Sequence, residues 1–295
     1  MDINSIKTFL ELAATGNFSR VAERLHITQS TVSARIKVLE SRLNRQLFER
    51  TVAGVQLTAA GQRFHQYAVS IQNLWQQGQQ DIAMPDGFEG VLGIGIHMSL
   101  WKRFFPQWIS WVCQQHPTLG LHIDTNYSER LTEMVAQGII DIAVTHMPTV
   151  LPGIEIEEFM QDELVMVSNQ PKQLADIGNR DYLYVDWSYG YQKEHQQKLP
   201  HLHSSPVYIG FGEIALRYIL DNPGAAYLPR VDVEALLLEQ RLFIVEDAPS
   251  LSRPAFLIYA TQPPDLKCLN IAIEGLRLIV PTGSGASAKK ARIRG

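Results

Sequence analysis

The sequence predicts a small helical amino-terminal module, one long helix, and a larger body of alternating strands and helices. Three observations carry that prediction. Charge divides the chain: residues 1–63 hold nine Lys/Arg against five Asp/Glu, whereas residues 64–288 hold 13 against 25. Apolar residues recur at helical spacing through the first eighty positions, then give way from Gly90 to short apolar runs alternating with helical stretches. A length of 295 residues, with 45% apolar and 19% charged, suits about two globular domains and excludes a disordered chain, a collagen or a disulfide scaffold.

The first helix is read from Ile3, Ile6, Phe9, Leu10 and Ala13 and stops at Gly16-Asn17, a pair that tolerates left-handed backbone. A short second helix runs from Phe18 or Ser19 to Leu25, with Ser19 as its N-cap and Ala22 and Leu25 inward. After His26-Ile27-Thr28 a third helix begins at Gln29, capped by Thr28 and burying Val32, Ile36, Leu39 and Leu43. Two short helices joined by so few residues make a helix-turn-helix. The outer face of the third carries Gln29, Ser30, Ser33, Ala34 and Lys37, short or polar side chains suited to base edges and phosphates of a major groove. Phe48-Glu49-Arg50 and Val55-Gln56-Leu57 read as strand pieces around a turn at Ala53-Gly54, a wing that sets Arg50 beside a phosphate or the minor groove. A helical bundle with a solvated polar face would show the same stripes. The short turn, the wing and the basic charge together favour a duplex-binding module.

Thr58 caps a long helix in which Phe64, Ala68, Ile71, Trp75, Gly78 and Ile82 recur at spacings of four and three, a coiled-coil seam flanked by glutamines. Packing of this stripe on its own domain is the competing reading. Pro85-Asp86-Gly87 ends the helix and starts a hinge.

In the body, strands are expected at Val91–Ile96, Leu121–Thr125, Ile139–Thr145, Leu164–Ser168, Tyr182–Asp186, Val207–Ile209 and Ala225–Leu228. Helices such as Leu100–Gln115, Arg130–Gln137 and Glu213–Leu220 separate them, which argues an α/β fold with mainly parallel sheets. Ligands of such sheets settle at strand carboxyl ends near helix amino termini. Trp101, Trp187, Tyr189, Tyr191 and Phe211 are either an aromatic cleft or core. Arginine is scarce near the expected cleft.

Other classes fare poorly. No phosphate-binding loop, GxSxG, HExxH or paired CxxC occurs, and Gly93-x-Gly95 lacks the third glycine of a dinucleotide fingerprint, so no enzyme, cofactor or metal site is expected. His201-x-His203 reads as a solvated loop. Cys113 and Cys268 read as two reduced packing cysteines. No run reaches the ~18 apolar residues of a membrane helix, and the first residues lack a cationic leader, so a cytoplasmic protein without a membrane partner is expected. The tail PTGSGASAKKARIRG is a disordered end or an accessory basic arm.

The stretch FLELAATGNFSRVAERLHITQSTVSARIKVLESRLNRQLFERTVAGVQLTAAGQRF resembles the DNA-binding domain of LysR-type transcriptional regulators across about sixty positions, with QSTVS, ARIKVLE, LFER and LTAAG matching together. GVLGIGIHMSLW, GIIDIAVTH and NPGAAYLPR resemble the same family's effector domain, and SLWKRFFPQW, YVDWSYGYQ and LSRPAFLIY resemble its branch of flagellar-gene regulators. The resemblance implies a winged helix-turn-helix (1–58), a linker and dimerisation helix (59–86), and a two-lobed periplasmic-binding-protein-like α/β effector domain (87–282). Its lobes would be 90–160 with 262–282, and 161–261; 283–295 would be a disordered tail. It further implies a homodimer or homotetramer on double-stranded promoter DNA, modulated by a small-molecule effector. Base or phosphate contacts carry over to Thr28, Gln29, Ser30, Thr31, Ser33 and Arg50. Some family members bear Arg directly after the serine, where this chain has Ala34, so Arg35 and Lys37 become phosphate clamps. The effector cleft would be lined by His97, Met98, Ser99, Leu100, Ser128, Thr145 and His146, with Trp187, Phe211, Gly212 and Gly224 across the hinge. Ser99 and Ser128 serve there either as plain helix caps or as anion ligands.

Overall fold

A computed structural model describes residues 2–51, 54–85, 87–202 and 204–280, with the main chain alone at 50, 51, 77, 80 and 81. The chain divides into two compact units, Met1–Phe88 with Gln137–Ile139, and Glu89–Ala136 with Ile140–Gly295.

In the first unit, helices α1 (Ile3–Thr15), α2 (Phe18–Arg24) and α3 (Gln29–Leu43) precede a hairpin of β1 (Phe48–Thr51) and β2 (Gly54–Leu57), followed by α4 (Ala59–Ile82). Gly16 ends α1 at φ 62°, and its carbonyl accepts from Val55 N at 3.1 Å, fastening the hairpin to the first helix. The cap of α2 is Asn17, whose side chain accepts from Ser19 N and Arg20 N, so the expected Ser19 cap is corrected: Ser19 is already inside the helix. Thr28 caps α3 as expected. Leu43 is not in its buried stripe. Asn44 turns left-handed at φ 51°, leaving Leu43 38% exposed while Leu47 enters the core. That core joins Ile6, Phe9, Leu12, Val21, Val32, Ile36 and Leu39 to Ala68 of α4. Ala53 of the expected turn lies outside the described residues, as does Asp86 of the expected hinge.

The apolar stripe of α4 splits in two. Phe64, Ala68 and Ile71 pack into the core of their own unit, Phe64 meeting Phe9 edge-on with centroids 5.0 Å apart. Leu74, Trp75 and Ile82 are exposed. The reading in which the stripe packs on its own domain thus holds for the first half of the helix, while the second half leaves its apolar side chains uncovered in the isolated chain. Thr58 Oγ1 accepts from Gly61 N and donates to Gln46 O, which fixes where α4 starts.

In the second unit, β3 (Gly90–His97), α5 (Trp101–Gln115), β4 (Leu119–Asn126), α6 (Ser128–Ala136), β5 (Ile142–Thr145) and β6 (Ile154–Ser168) lead into β7 (Leu183–Val185), α7 (Tyr189–Lys198) and β8 (Val207–Ile209). Then come α8 (Gly212–Asp221), β9 (Ala225–Pro229), α9 (Arg230–Leu238), β10 (Phe243–Ile244), β11 (Leu251–Ala260) and α10 (Leu266–Ile279). A seven-stranded sheet runs β10-β6-β11-β5-β3-β4 with β9 on β6, and β7 pairs β8 separately. The expectation of mainly parallel sheets is corrected. β3 is parallel to β4 and β5, and β7 to β8, but β6, β9, β10 and β11 pair antiparallel.

The reason is that the chain passes twice between two cores. β6 places Phe159 in a first core with Leu92, Ile94, Trp108 and Leu276, and Leu164 to Val167 in a second with Tyr182, Trp187, Ile219 and Tyr227. β11 returns alongside it, from Leu251 in the second core to Ala255 and Leu257 in the first, so the crossing back precedes the expected residue 262. Among the described residues no helix is long and apolar enough to cross a membrane.

Candidate functional site

Two places concentrate the predicted residues. The first is the outer face of α3. Gln29, Ser30, Ala34 and Lys37 are exposed, Thr31 and Ser33 half-buried; at about 100° per residue all but Thr31 fall within about 140° of the helix circumference, and Thr31 lies at the edge of that face. Thr28 Oγ1 accepts from Thr31 N at 3.2 Å and lies 2.8 Å from both the Ser30 and Thr31 hydroxyls, a three-hydroxyl cluster at the helix's positive end. Arg35 leans the other way, donating from Nη1 to Thr8 Oγ1 at 3.2 Å, so its guanidinium is shared with α1. Arg50 pairs Val55 in the hairpin; its side chain lies outside the described residues.

The second is a cavity of about 400 Å³ in the body. Met98, Ser99, Trp187, Phe211 and Gly212, all expected there, line it, joined by Trp101, Lys102, Arg103, Glu213, Leu216, Leu228, Pro229, Val231 and Asp232. Much of this wall is helix amino termini: Trp101 to Arg103 open α5, Gly212 and Glu213 open α8, and Val231 and Asp232 sit in the first turn of α9. The cap residues Leu100, Phe211 and Pro229 make no side-chain cap bond, so the first N–H groups of three helices have no side-chain acceptor at their caps. Gly212 is required by contact: a Cβ there would stand 2.1 Å from the Trp187 ring.

Other expected lining residues lie behind the wall or in the cores. His97 is buried, with Nδ1 2.9 Å from Ser99 Oγ. Leu100 belongs to the first core, because the chain after β3 turns it inward and Ser99 outward. Ser128 is buried and accepts from Met147 N; Thr145 and His146 are buried at the end of β5 where β11 covers them, His146 bonding Pro254 O at 2.9 Å. Gly224 faces Leu183 and Ile219 within the second core. Among the aromatics, Tyr191 is core and Tyr189 is exposed.

The scarcity of arginine is also corrected. Arg103 lines the cavity with its side chain 6% exposed, held by Asp162 through Nη1 and by Asp232 through two parallel bonds, Nε to Oδ1 at 2.9 Å and Nη2 to Oδ2 at 3.0 Å. Arg253 lies just behind, stacked 4.5 Å over Trp187 and donating to Ser99 Oγ at 3.3 Å. Burial, only partly offset by Asp162, brings its pKa down to about 9. Burial beside Arg253 likewise holds His97 down to about 3 and His146 well below its ordinary value, so both rings are neutral near pH 7. Ser99 N also approaches His97 Nδ1, at 3.3 Å, which makes that nitrogen an acceptor and commits the serine hydroxyl proton to it. Sequence reasoning missed Arg253: it shares the inward register of β11 with Leu251, Ala255 and Leu257, but Pro254 beside it hides the strand from local patterning.

The remaining candidates recede. His201 ends in a single helical turn, Pro200–Leu202, and His203 lies outside the described residues. No group of three metal-ligating side chains forms among the described residues. Cys268 is buried, its thiol pushed up to about 12 by burial and Asp265; Cys113 is exposed, so the packing reading is corrected for that residue. The tail from 283 onward lies outside the described residues.

Comparison with known proteins identifies the two domains. Residues 3–62 match the family described as bacterial regulatory helix-turn-helix protein, lysR family, and residues 85–274 match the LysR substrate binding domain. The HTH-type transcriptional regulator HdfR of Escherichia fergusonii is 29% identical over 263 residues, covering 88% of this chain and 92% of HdfR. The full-length structure of CbnR complexed with its target DNA matches with a TM-score of 0.64 at 22% identity, over 95% of this chain and 100% of that one. Vibrio fischeri DarR in complex with DNA matches with a TM-score of 0.57 at 20% identity, over 94% and 99%.

Proposed function

This chain belongs to the LysR family of DNA-binding transcriptional regulators, and on that premise we propose how its parts divide the work. Residues 1–58 are the DNA-binding head, 59–86 the linker and dimerisation helix, and 87–282 the effector-binding body. The observation that carries the reading is the exposed polar face of α3, ordered by the Thr28 cap on a unit with a surplus of positive charge. Gln29, Ser30 and Ser33 read base edges, Thr28 and Thr31 position the helix end, and Lys37 and Arg50 hold phosphates, with Arg35 contributing from its seat on Thr8.

The exposed half of α4, with Leu74, Trp75 and Ile82, supports self-association through that helix. The cavity at Ser99, Arg103, Trp187 and Phe211 supports a small-molecule effector that biases the assembly through different affinities for its alternative states. The protein acts in the cytoplasm and carries out no catalysis of its own.

The test is competition binding of the purified chain to fragments of its own promoter region and to scrambled duplex at moderate salt. The promoter fragments are expected to win by about a thousandfold or more, the usual margin of specific over non-specific binding. Equal competition by scrambled duplex would overturn the assignment of α3.

A further inference from the structure

Arg103 and Asp232 meet across the cavity from helices that belong to different cores. Arg103 is in the first turn of α5, whose Phe104, Phe105 and Trp108 belong to the first core; Asp232 is in the first turn of α9, whose Val233 belongs to the second. Both line the cavity. Arg103 is already fixed by Asp162, a buried partner on β6, so its inner edge is satisfied without Asp232. Its outer edge, Nε and Nη2, is what grips the Asp232 carboxylate, in the two-bond geometry by which arginine holds any carboxylate. Asp232 keeps a third of its side chain exposed, whereas Arg103 keeps almost none.

Charge around this edge favours an anion. Arg253 lies behind Ser99 and Trp187 with no carboxylate within ion-pair distance among the described residues. Arg103 and Arg253 balance Asp162 and Asp232 two against two, so once Asp232 leaves Arg103 only the buried Asp162 stays close to the two guanidiniums and the cavity wall carries a net positive charge that an anion would offset. Three helix amino termini lacking side-chain caps add their partial positive charge to the same wall. Lys102 and Glu213 form a second pair between α5 and α8 at the exposed mouth.

We propose that Arg103 is the anion-recognition residue of the effector cavity, and that Asp232 occupies it as an internal stand-in until the carboxylate or similar group of an anionic effector displaces it. The proposal rests on the reading of this cavity as the effector site and names the chemical class that fits it. Trp101, Trp187 and Phe211 supply an apolar wall for the rest of the molecule. Displacement separates α9 from α5, so effector binding and release of a contact between the two cores become one event.

The test compares phenylacetate with phenylacetamide, probes matched in size and differing in charge, by titrating the tryptophan fluorescence of the full-length chain. In the wild type, phenylacetate competes with Asp232. In Asp232→Asn the outer edge of Arg103 loses the competing carboxylate and keeps at most one neutral acceptor, so the phenylacetate midpoint is expected to fall about tenfold, as when a site nine-tenths occupied becomes free. The amide midpoint is expected to move less than about twofold on the same argument. Asp232→Ser carries the same expectation should the asparagine variant fold poorly, and adding Arg103→Gln to either is expected to abolish the gain. An unchanged phenylacetate midpoint in a folded variant overturns the proposal. An amide that binds as well as the acid overturns the anionic class while leaving the cavity as effector site. Silence from both probes in every chain overturns the two together.

Discussion

At the scale of single residues, capping and burial decide what each polar side chain can still do. Ser99 illustrates it: with its proton committed to His97 and a lone pair taken by Arg253, its hydroxyl is a link in a buried network. The network has a pH signature. The folded pKa of His97, about 3, lies below its ordinary 6.5, so the unfolded chain takes up the proton first. The stabilisation is fully present above about pH 6.5 and is lost as pH falls toward 3, by up to about 1.4 kcal/mol per pH unit. His97→Asn retains an acceptor near the Nδ1 position and removes the titration. Its melting temperature is expected to fall less steeply than that of the wild type between pH 6.5 and 4.5, and parallel slopes would refute the account. On α3 the expectation concerns discrimination. Gln29→Ala or Ser33→Ala should narrow the gap between promoter and mismatched duplex by about 1–3 kcal/mol in competition assays, with little change in the salt slope. Arg50→Ala should instead weaken binding to all duplexes and reduce that slope by about one.

Elements were legible in sequence to the degree that local rules made them. Helices α1 and α3 and the hairpin could be read because cap, stripe and turn residues are contiguous. Helix α2 could be read except for its cap, where Asn17 and Ser19 compete and only the backbone bonds to Asn17 decide. The first ten residues of β6 and all of β11 were not legible as strands. Their residues alternate Glu with apolar side chains, or carry Pro254 and Arg253, and they pair with each other across a wide gap in sequence, from Glu163 with Ser252 to Ile154 with Ala260. The seating of α4 depends equally on distant contact. A Cβ on Gly61 would stand 2.1 Å from Leu47 O, a backbone atom that Thr58 N also bonds. Gly61→Ala is therefore expected to destabilise the first unit by about 1–3 kcal/mol through overpacking, read as a lower denaturation midpoint. Gly78→Ala, on the same helix with nothing within 4 Å, should be neutral or slightly stabilising. Equal effects at the two positions would exclude the contact as the cause.

For the whole molecule, order along the chain was the most readable property and the cavity the least. A basic module, a helix and an acidic body follow from counting charges and spacing. The cavity draws on residues from 98 to 232, and the charges that define it, Arg103, Asp162, Asp232 and Arg253, come from four elements that only the double passage of β6 and β11 brings together. No local pattern records such a meeting. The split stripe of α4 belongs to this scale too. Its first half is consumed by the core of the unit, so any partner must take the second, and the exposed Leu74, Trp75 and Ile82 span about two turns, enough for a short seam but not for a long coiled coil. Leu74→Glu with Trp75→Glu changes side chains that are solvent-exposed in the isolated chain, so each copy should keep its fold. Two copies would meet with charge facing charge, and sedimentation is expected to show monomers where the wild type forms dimers or larger species. Binding to one half-site should persist, because α3 is untouched. Binding to a paired site should weaken by about 100-fold or more, the gain that linking two reading heads provides. A double variant that still sediments as the wild type would move the self-association surface off α4 and onto the effector body.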